Sequence, residues 1–77
     1  MEREKIEILA RRLQEEHVVC FRLYNALYTI TFIQGRLCIR QDGLDICYYF
    51  SSLQELLQHF VVYGNTLLES IQDIRIV

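Results

Sequence analysis

The sequence predicts a single α+β domain of 77 residues, two helices packed on an antiparallel meander sheet, in the order α-β-β-β-β-α-β. Three observations lead there. The first stretch repeats its apolar residues at helical spacing, the middle alternates β-branched and aromatic residues between short turn signals, and a capped helical segment precedes a last alternating run.

From Glu2 to Glu16, Ile6, Leu9, Ala10 and Leu13 fall at i, i+3, i+4 and i+7, the stripe of an amphipathic helix. Glu7 and Arg11 form an i,i+4 pair away from that stripe. From Val18 onward the pairs Asn25-Ala26, Gln34-Gly35 and Asp42-Gly43 divide an alternating segment into four strands.

Taking each pair as a two-residue hairpin loop sets every register, because a slip of one residue would turn all the side chains over. One face then collects Val19, Phe32, Leu37 and Tyr48 in a cross-strand row, followed by Phe21, Ile30, Ile39 and Ile46, then Leu23, Tyr28, Gln41 and Leu44. This is the expected core face, and His17 is expected on the same side. The opposite face collects Cys20, Thr31, Cys38 and Cys47, then Arg22, Thr29, Arg40 and Asp45, then Val18, Ile33, Arg36 and Tyr49. It is mixed, neither cleanly polar nor a second core, and periodicity leaves open which face each helix covers.

Ser52-Leu53-Gln54-Glu55 is a capping box and predicts a helix start. Leu53, Leu56, Leu57, Phe60 and Val61 form the apolar stripe of that helix, and Gly64 is placed to end it in a left-handed cap. Thr66-Leu67-Leu68-Glu69 is a second capping box for a short helical turn. Ile74 and Ile76 then alternate with polar neighbours as a final short strand, expected antiparallel beside the first because a parallel place beside the fourth needs a handed crossover.

Composition narrows the function classes. A chain that is 52% hydrophobic and 23% charged, without proline, low-complexity tract or apolar run of membrane length, reads as one folded domain over residues 1–77 with no membrane association. Eight Lys and Arg against ten Asp and Glu leave no bulk field for a polyanion, so nucleic-acid binding is disfavoured. Three cysteines without CxxC spacing, and a charged helical start (MEREKIEIL), point to the cytoplasm.

Chemistry-bearing residues are sparse. Cys38 and Cys47 are expected directly opposite each other, but Cys20 lies two strand spacings, about 9.5 Å, from Cys38, which does not make a tetrahedral metal site. The cysteines read instead as small apolar residues. Carboxylates fall on helix surfaces, at turns, or in an Arg40–Asp45 cross-strand pair, and no phosphate-cradling glycine loop, Ser/His/Asp set or HExxH occurs. No catalytic activity, cofactor or metal is therefore expected. Tyr28, Tyr48 and Gln41 would be the polar groups of any pocket between helix and sheet.

Val19-Cys20-Phe21-Arg22, Arg36-Leu37-Cys38-Ile39 and Phe50-Ser51-Ser52-Leu53-Gln54-Glu55-Leu56-Leu57 look like the corresponding strands and second helix of the phosphotyrosine-binding Src-homology-2 domain. With the first helix the resemblance runs from about Ile6 to Val62. It implies a role for Arg22 similar to that of the family's phosphate-binding arginine, which suits a bidentate guanidinium.

The leading expectation is a small cytoplasmic interaction or structural module without catalytic activity. It would bind itself as a homodimer, or another protein, through Val18, Cys20, Thr31, Ile33, Arg36, Cys38, Cys47 and Tyr49. The alternatives are a phosphopeptide- or other anion-binding module using Arg22 and Arg40, or a small RNA-binding module.

Overall fold

A computed structural model describes residues 2–77. The first helix, α1, spans Glu2–Glu16 and buries Leu9 and Leu13, with Ile6 partly buried beside them. Ala10, expected in the same stripe, is exposed. His17 closes α1 by donating its backbone N–H to Leu13 O (3.0 Å) at φ 64° and turns the chain into the sheet. Its ring is exposed and stacks on Phe32 at 5.9 Å, so it is not a core residue as expected.

Four strands follow as a meander: β1 (Val18–Leu23), β2 (Ala26–Ile33), β3 (Arg36–Gln41) and β4 (Cys47–Phe50). The second helix, α2 (Leu53–His59), comes next, then a small hairpin of β5 (Val61–Val62) and β6 (Asn65–Thr66), a 3-10 turn at Ile71–Asp73, and β7 (Arg75–Ile76). The main sheet has five strands in the order β4-β3-β2-β1-β7, and every pairing is antiparallel. The last strand lies beside the first, as its sequence position predicts.

Two of the three predicted registers are offset by two residues. Leu23 pairs with Ala26, so the first loop is Tyr24-Asn25 rather than Asn25-Ala26. Tyr24 takes the left-handed conformation (φ 56°), and Ala26, which tolerates it poorly, stays in the strand. Gln34-Gly35 is the loop expected, with Ile33 opposite Arg36 and φ of 51° and 79° at the turn. After β3 a turn closes at Asp42-Gly43, where Leu44 N–H donates to Gln41 O (3.1 Å), yet strand pairing resumes only at Cys47.

A slip of two keeps each side chain on its own face, so the hydrophobic pattern is blind to it. What changes is the partner. Ile39 faces Tyr48, Leu37 faces Phe50, Cys38 faces Tyr49 and Arg40 faces Cys47. The Cys38–Cys47 and Arg40–Asp45 opposite pairs expected from a tight Asp-Gly hairpin are not formed, because Leu44, Asp45 and Ile46 lie in the loop.

Both helices pack on the same face of the sheet. Leu9 and Leu13 of α1, Leu56 and Leu57 of α2, and Val19, Phe21, Ile30, Leu37 and Ile39 of the strands share one buried cluster, closed at the C-terminal end by Leu67, Ile71 and Ile74. Each fully buried side chain of this size contributes about 1.5–3 kcal/mol of transfer free energy. Lys5 Nζ donates to Gln72 O (2.7 Å) and the Arg12 guanidinium to Val77 O, tying α1 to the C-terminal segment.

Both capping boxes are present. Ser52 Oγ accepts from Glu55 N–H (3.1 Å), while the Glu55 carboxylate accepts from the backbone N–H of Ser51 (3.0 Å) rather than that of Ser52. Thr66 Oγ1 accepts from Glu69 N–H (3.2 Å), and Glu69 Oε1 accepts from Thr66 N–H (2.7 Å). The second helix is shorter than its stripe predicts. It ends at His59, Val61 is exposed, and Gly64 (φ 82°) serves a Tyr63-Gly64 hairpin turn instead of a helix cap. The turn after β6 compensates α2, since Leu68 N–H donates to Leu57 O (2.9 Å) and Leu67 N–H to Phe60 O (2.8 Å).

Candidate functional site

With both helices on one side, the other face of the five-stranded sheet is left uncovered. Alternation from the core residues places Val18, Cys20 and Arg22 of β1 there, with Leu27, Thr29, Thr31 and Ile33 of β2. Arg36, Cys38 and Arg40 of β3, Cys47 and Tyr49 of β4, and Arg75 of β7 complete it. All eight residues read from the sequence as an interface are on this face, and so are Arg22 and Arg40.

Its rows differ from those expected. Val18, Thr31, Cys38 and Tyr49 form one, and Cys20, Thr29, Arg40 and Cys47 the next. Cys20 Sγ lies 3.5 Å from Thr29 Oγ1. The guanidinium carbon of Arg36 stands over the Tyr49 ring at 5.5 Å from its centroid, so this aromatic is already stacked by a cation. Arg22 lies opposite Leu27 on one side and opposite Arg75 on the other. It is separated from Arg40 by the width of β2.

The charge distribution is one-sided. Among the described residues, no strand contains Asp or Glu, and the charged strand residues are Arg22, Arg36, Arg40 and Arg75, all on the uncovered face. Four of the eight basic residues of the chain therefore lie on this face, in strands that carry none of its ten acidic residues, in a molecule of net charge −2. Arg75 joins the group only through the pairing of β7 with β1, which residue spacing does not reveal.

Burial pushes the Cys38 thiol above its ordinary pKa, and the neighbouring Cys47 thiol adds to the shift, while Arg40 and Tyr49 act against it. Cys38 is buried, Cys20 half-buried and Cys47 exposed. Among the described residues, no three His, Cys, Asp or Glu side chains group as metal ligands, and no helix is long and apolar enough to cross a membrane.

A second feature lies on the helix side, at the end of the sheet beyond α2. A cleft of about 490 Å³ opens between the β3–β4 loop and the β5–β6 hairpin. It brings together Tyr28, Gln41 and Tyr48, the three polar residues expected in a helix–sheet pocket, with His59 and Tyr63. Phe60 forms its inner wall, edge-on to Tyr28 at 6.0 Å and to Tyr48 at 5.5 Å. Burial, and then Tyr63, raise the Tyr28 phenol above its ordinary pKa. Leu44 and Ile46, expected within the core face of the sheet, line this cleft and are largely exposed. The sequence signal overlooked was Val61-Val62-Tyr63-Gly64-Asn65-Thr66, a β-branched pair and an X-Gly turn that build the hairpin wall.

Neither family models nor curated proteins nor solved structures yield a match to this chain.

Proposed function

We propose that this chain is a small, non-catalytic protein-interaction module whose working surface is the uncovered sheet face, docking an acidic protein surface. One observation carries the reading: four arginines and no acidic strand residue on a sheet face that no helix covers, in a chain that is acidic as a whole. Val18, Ile33 and Tyr49 supply exposed apolar area between the guanidinium groups, a mixture that suits protein interfaces. Arginine there favours bidentate pairing with carboxylates. A polynucleotide fits less well, since the face offers a single ring and Arg36 already lies over it.

The test uses polyglutamate as a probe, titrated at two ionic strengths against the wild type and the double variant Arg22→Glu, Arg40→Glu. Salt-sensitive binding that the charge reversal abolishes, with an unchanged far-UV spectrum, supports the reading. Equal binding by both proteins rejects it, as does tighter binding of single-stranded RNA homopolymer than of polyglutamate.

A second reading, binding of a phosphorylated peptide or other small anion at Arg22, is favoured by the placement of Arg75 directly across from it, which sets two guanidinium groups on adjacent strands. A phosphotyrosine peptide that binds the wild type and is lost in both Arg22→Ala and Arg75→Ala would support it. Failure of the wild type to bind any such peptide removes it.

A further inference from the structure

The meander ends on β4, an outermost strand whose second backbone edge has no partner in the sheet. Proteins protect such edges with charge, proline, bulges or a covering element. Cys47-Tyr48-Tyr49-Phe50 has neither charge nor proline, and Ile46, Tyr48 and Tyr49 are 55%, 50% and 59% exposed. The opposite edge differs, because β7 has only two residues and one of them is Arg75. Among the described residues, no other strand combines an open backbone edge with an uncharged, aromatic sequence.

We propose that β4 is a dimer seam: a second copy of this chain adds its own β4 antiparallel to this edge, joining the two sheets into one. The inference goes beyond the docking face, which it leaves free. Geometry restricts the register. Residues directly opposite in an antiparallel pair share a face, so a two-fold axis normal to the sheet passes through a residue position rather than between two. An axis at Tyr48 sets Tyr48 against Tyr48 of the other copy on the helix side, Ile46 against Phe50 beside it, and Cys47 against Tyr49 on the arginine side. Every pair across that seam is apolar or aromatic, the kind of cross-strand pair that stabilises sheets.

Charge selects this arrangement over a face-to-face dimer. Stacking two uncovered faces would oppose Arg22, Arg36, Arg40 and Arg75 to the same four residues, at a like-charge penalty. Edge pairing keeps the arginines side by side in one plane and doubles the width of the docking surface. A folded copy is also a better occupant than a loose peptide, because its strand is already extended and loses little conformational freedom on pairing.

The experiment is sedimentation equilibrium of the full chain under reducing conditions over a wide concentration range, with Ile46→Lys and Tyr48→Lys as seam variants and Ile33→Glu as the face variant. The expected result is a reversible monomer–dimer equilibrium, shifted at least tenfold toward monomer by each seam variant and little changed by Ile33→Glu. Hydrogen exchange on the wild type gives a readout that does not depend on variants folding: backbone amides within Cys47–Phe50 should gain protection as concentration rises. A monomer at all concentrations overturns the proposal. So does a dimer whose Cys47–Phe50 amides exchange as in the monomer, or one that Ile33→Glu dissociates and the seam variants do not. Polyglutamate binding is read separately, so loss of the seam and loss of the docking face are distinguishable.

Discussion

Cys38 lies directly across from Tyr49, and Cys47 directly across from Arg40, so the two thiols are diagonal neighbours on adjacent strands rather than an opposed pair. Their environments diverge accordingly. Cys38 is buried and its thiol pKa is raised, chiefly by that burial, whereas Cys47 is exposed. Alkylation requires the thiolate and access to it. Under native conditions at mildly alkaline pH, Cys47 should therefore react with iodoacetamide first, Cys20 more slowly and Cys38 last, with the order read by mass spectrometry of peptides. Equal rates at Cys38 and Cys47 would contradict the register of β4.

The α2 cap should contribute measurably to stability. Ser52→Ala removes the acceptor for Glu55 N–H and should cost about 1 kcal/mol in denaturant unfolding. Ser51, through its backbone N–H and hydroxyl, holds the Glu55 carboxyl below the usual carboxylate range. A folded-state pKa below the unfolded one contributes stability above the unfolded value, and that contribution is lost as pH falls through the folded value. Wild-type stability should thus decline on acidification past the carboxylate range more steeply than that of Glu55→Gln. Parallel pH profiles would show that the contact has no thermodynamic weight.

Turn chemistry offers a stabilising change. Gln34 holds φ 51° ahead of Gly35 at φ 79°, a two-residue turn that asparagine accommodates better than glutamine does. Gln34→Asn should raise stability by up to about 1 kcal/mol, seen as a higher melting temperature. Gly35→Ala should lower it, through backbone conformation alone, since no atom lies within 4 Å of the position a Cβ would occupy.

Core truncation should be severe. Leu56 is fully buried where α2 meets the sheet, and Leu56→Ala should cost about 2–5 kcal/mol. A single core in a chain of this size seldom supplies more than ~3–5 kcal/mol in all. The variant should then be largely unfolded at low concentration, with loss of cooperative thermal melting as the readout.

Much of the candidate site was legible in the residue pattern. The period-two alternation put Cys20, Arg22, Ile33, Arg36, Cys38, Arg40, Cys47 and Tyr49 on one face, and that grouping survives two register offsets because each is a slip of two. The rows within the face were not legible, since hydrophobic pattern cannot tell registers of equal parity apart. The cleft was half-visible: Tyr28, Gln41 and Tyr48 were identifiable as its polar residues, but its outer wall is a hairpin formed where an apolar stripe suggested more helix.

The sequence by itself determined the order of the two helices and the five strands of the main sheet, the side of that sheet each strand residue occupies, and both capping boxes, because these follow from side-chain periodicity and hydrogen bonds a few residues apart. Tertiary structure alone decided which face the helices cover, and with it which arginines stand open. That choice depends on packing α1, α2 and the C-terminal turn into one buried cluster, a contact among segments far apart in the chain. The unprotected edge of β4 has the same origin, for a strand becomes an edge only when nothing else in the fold pairs beside it.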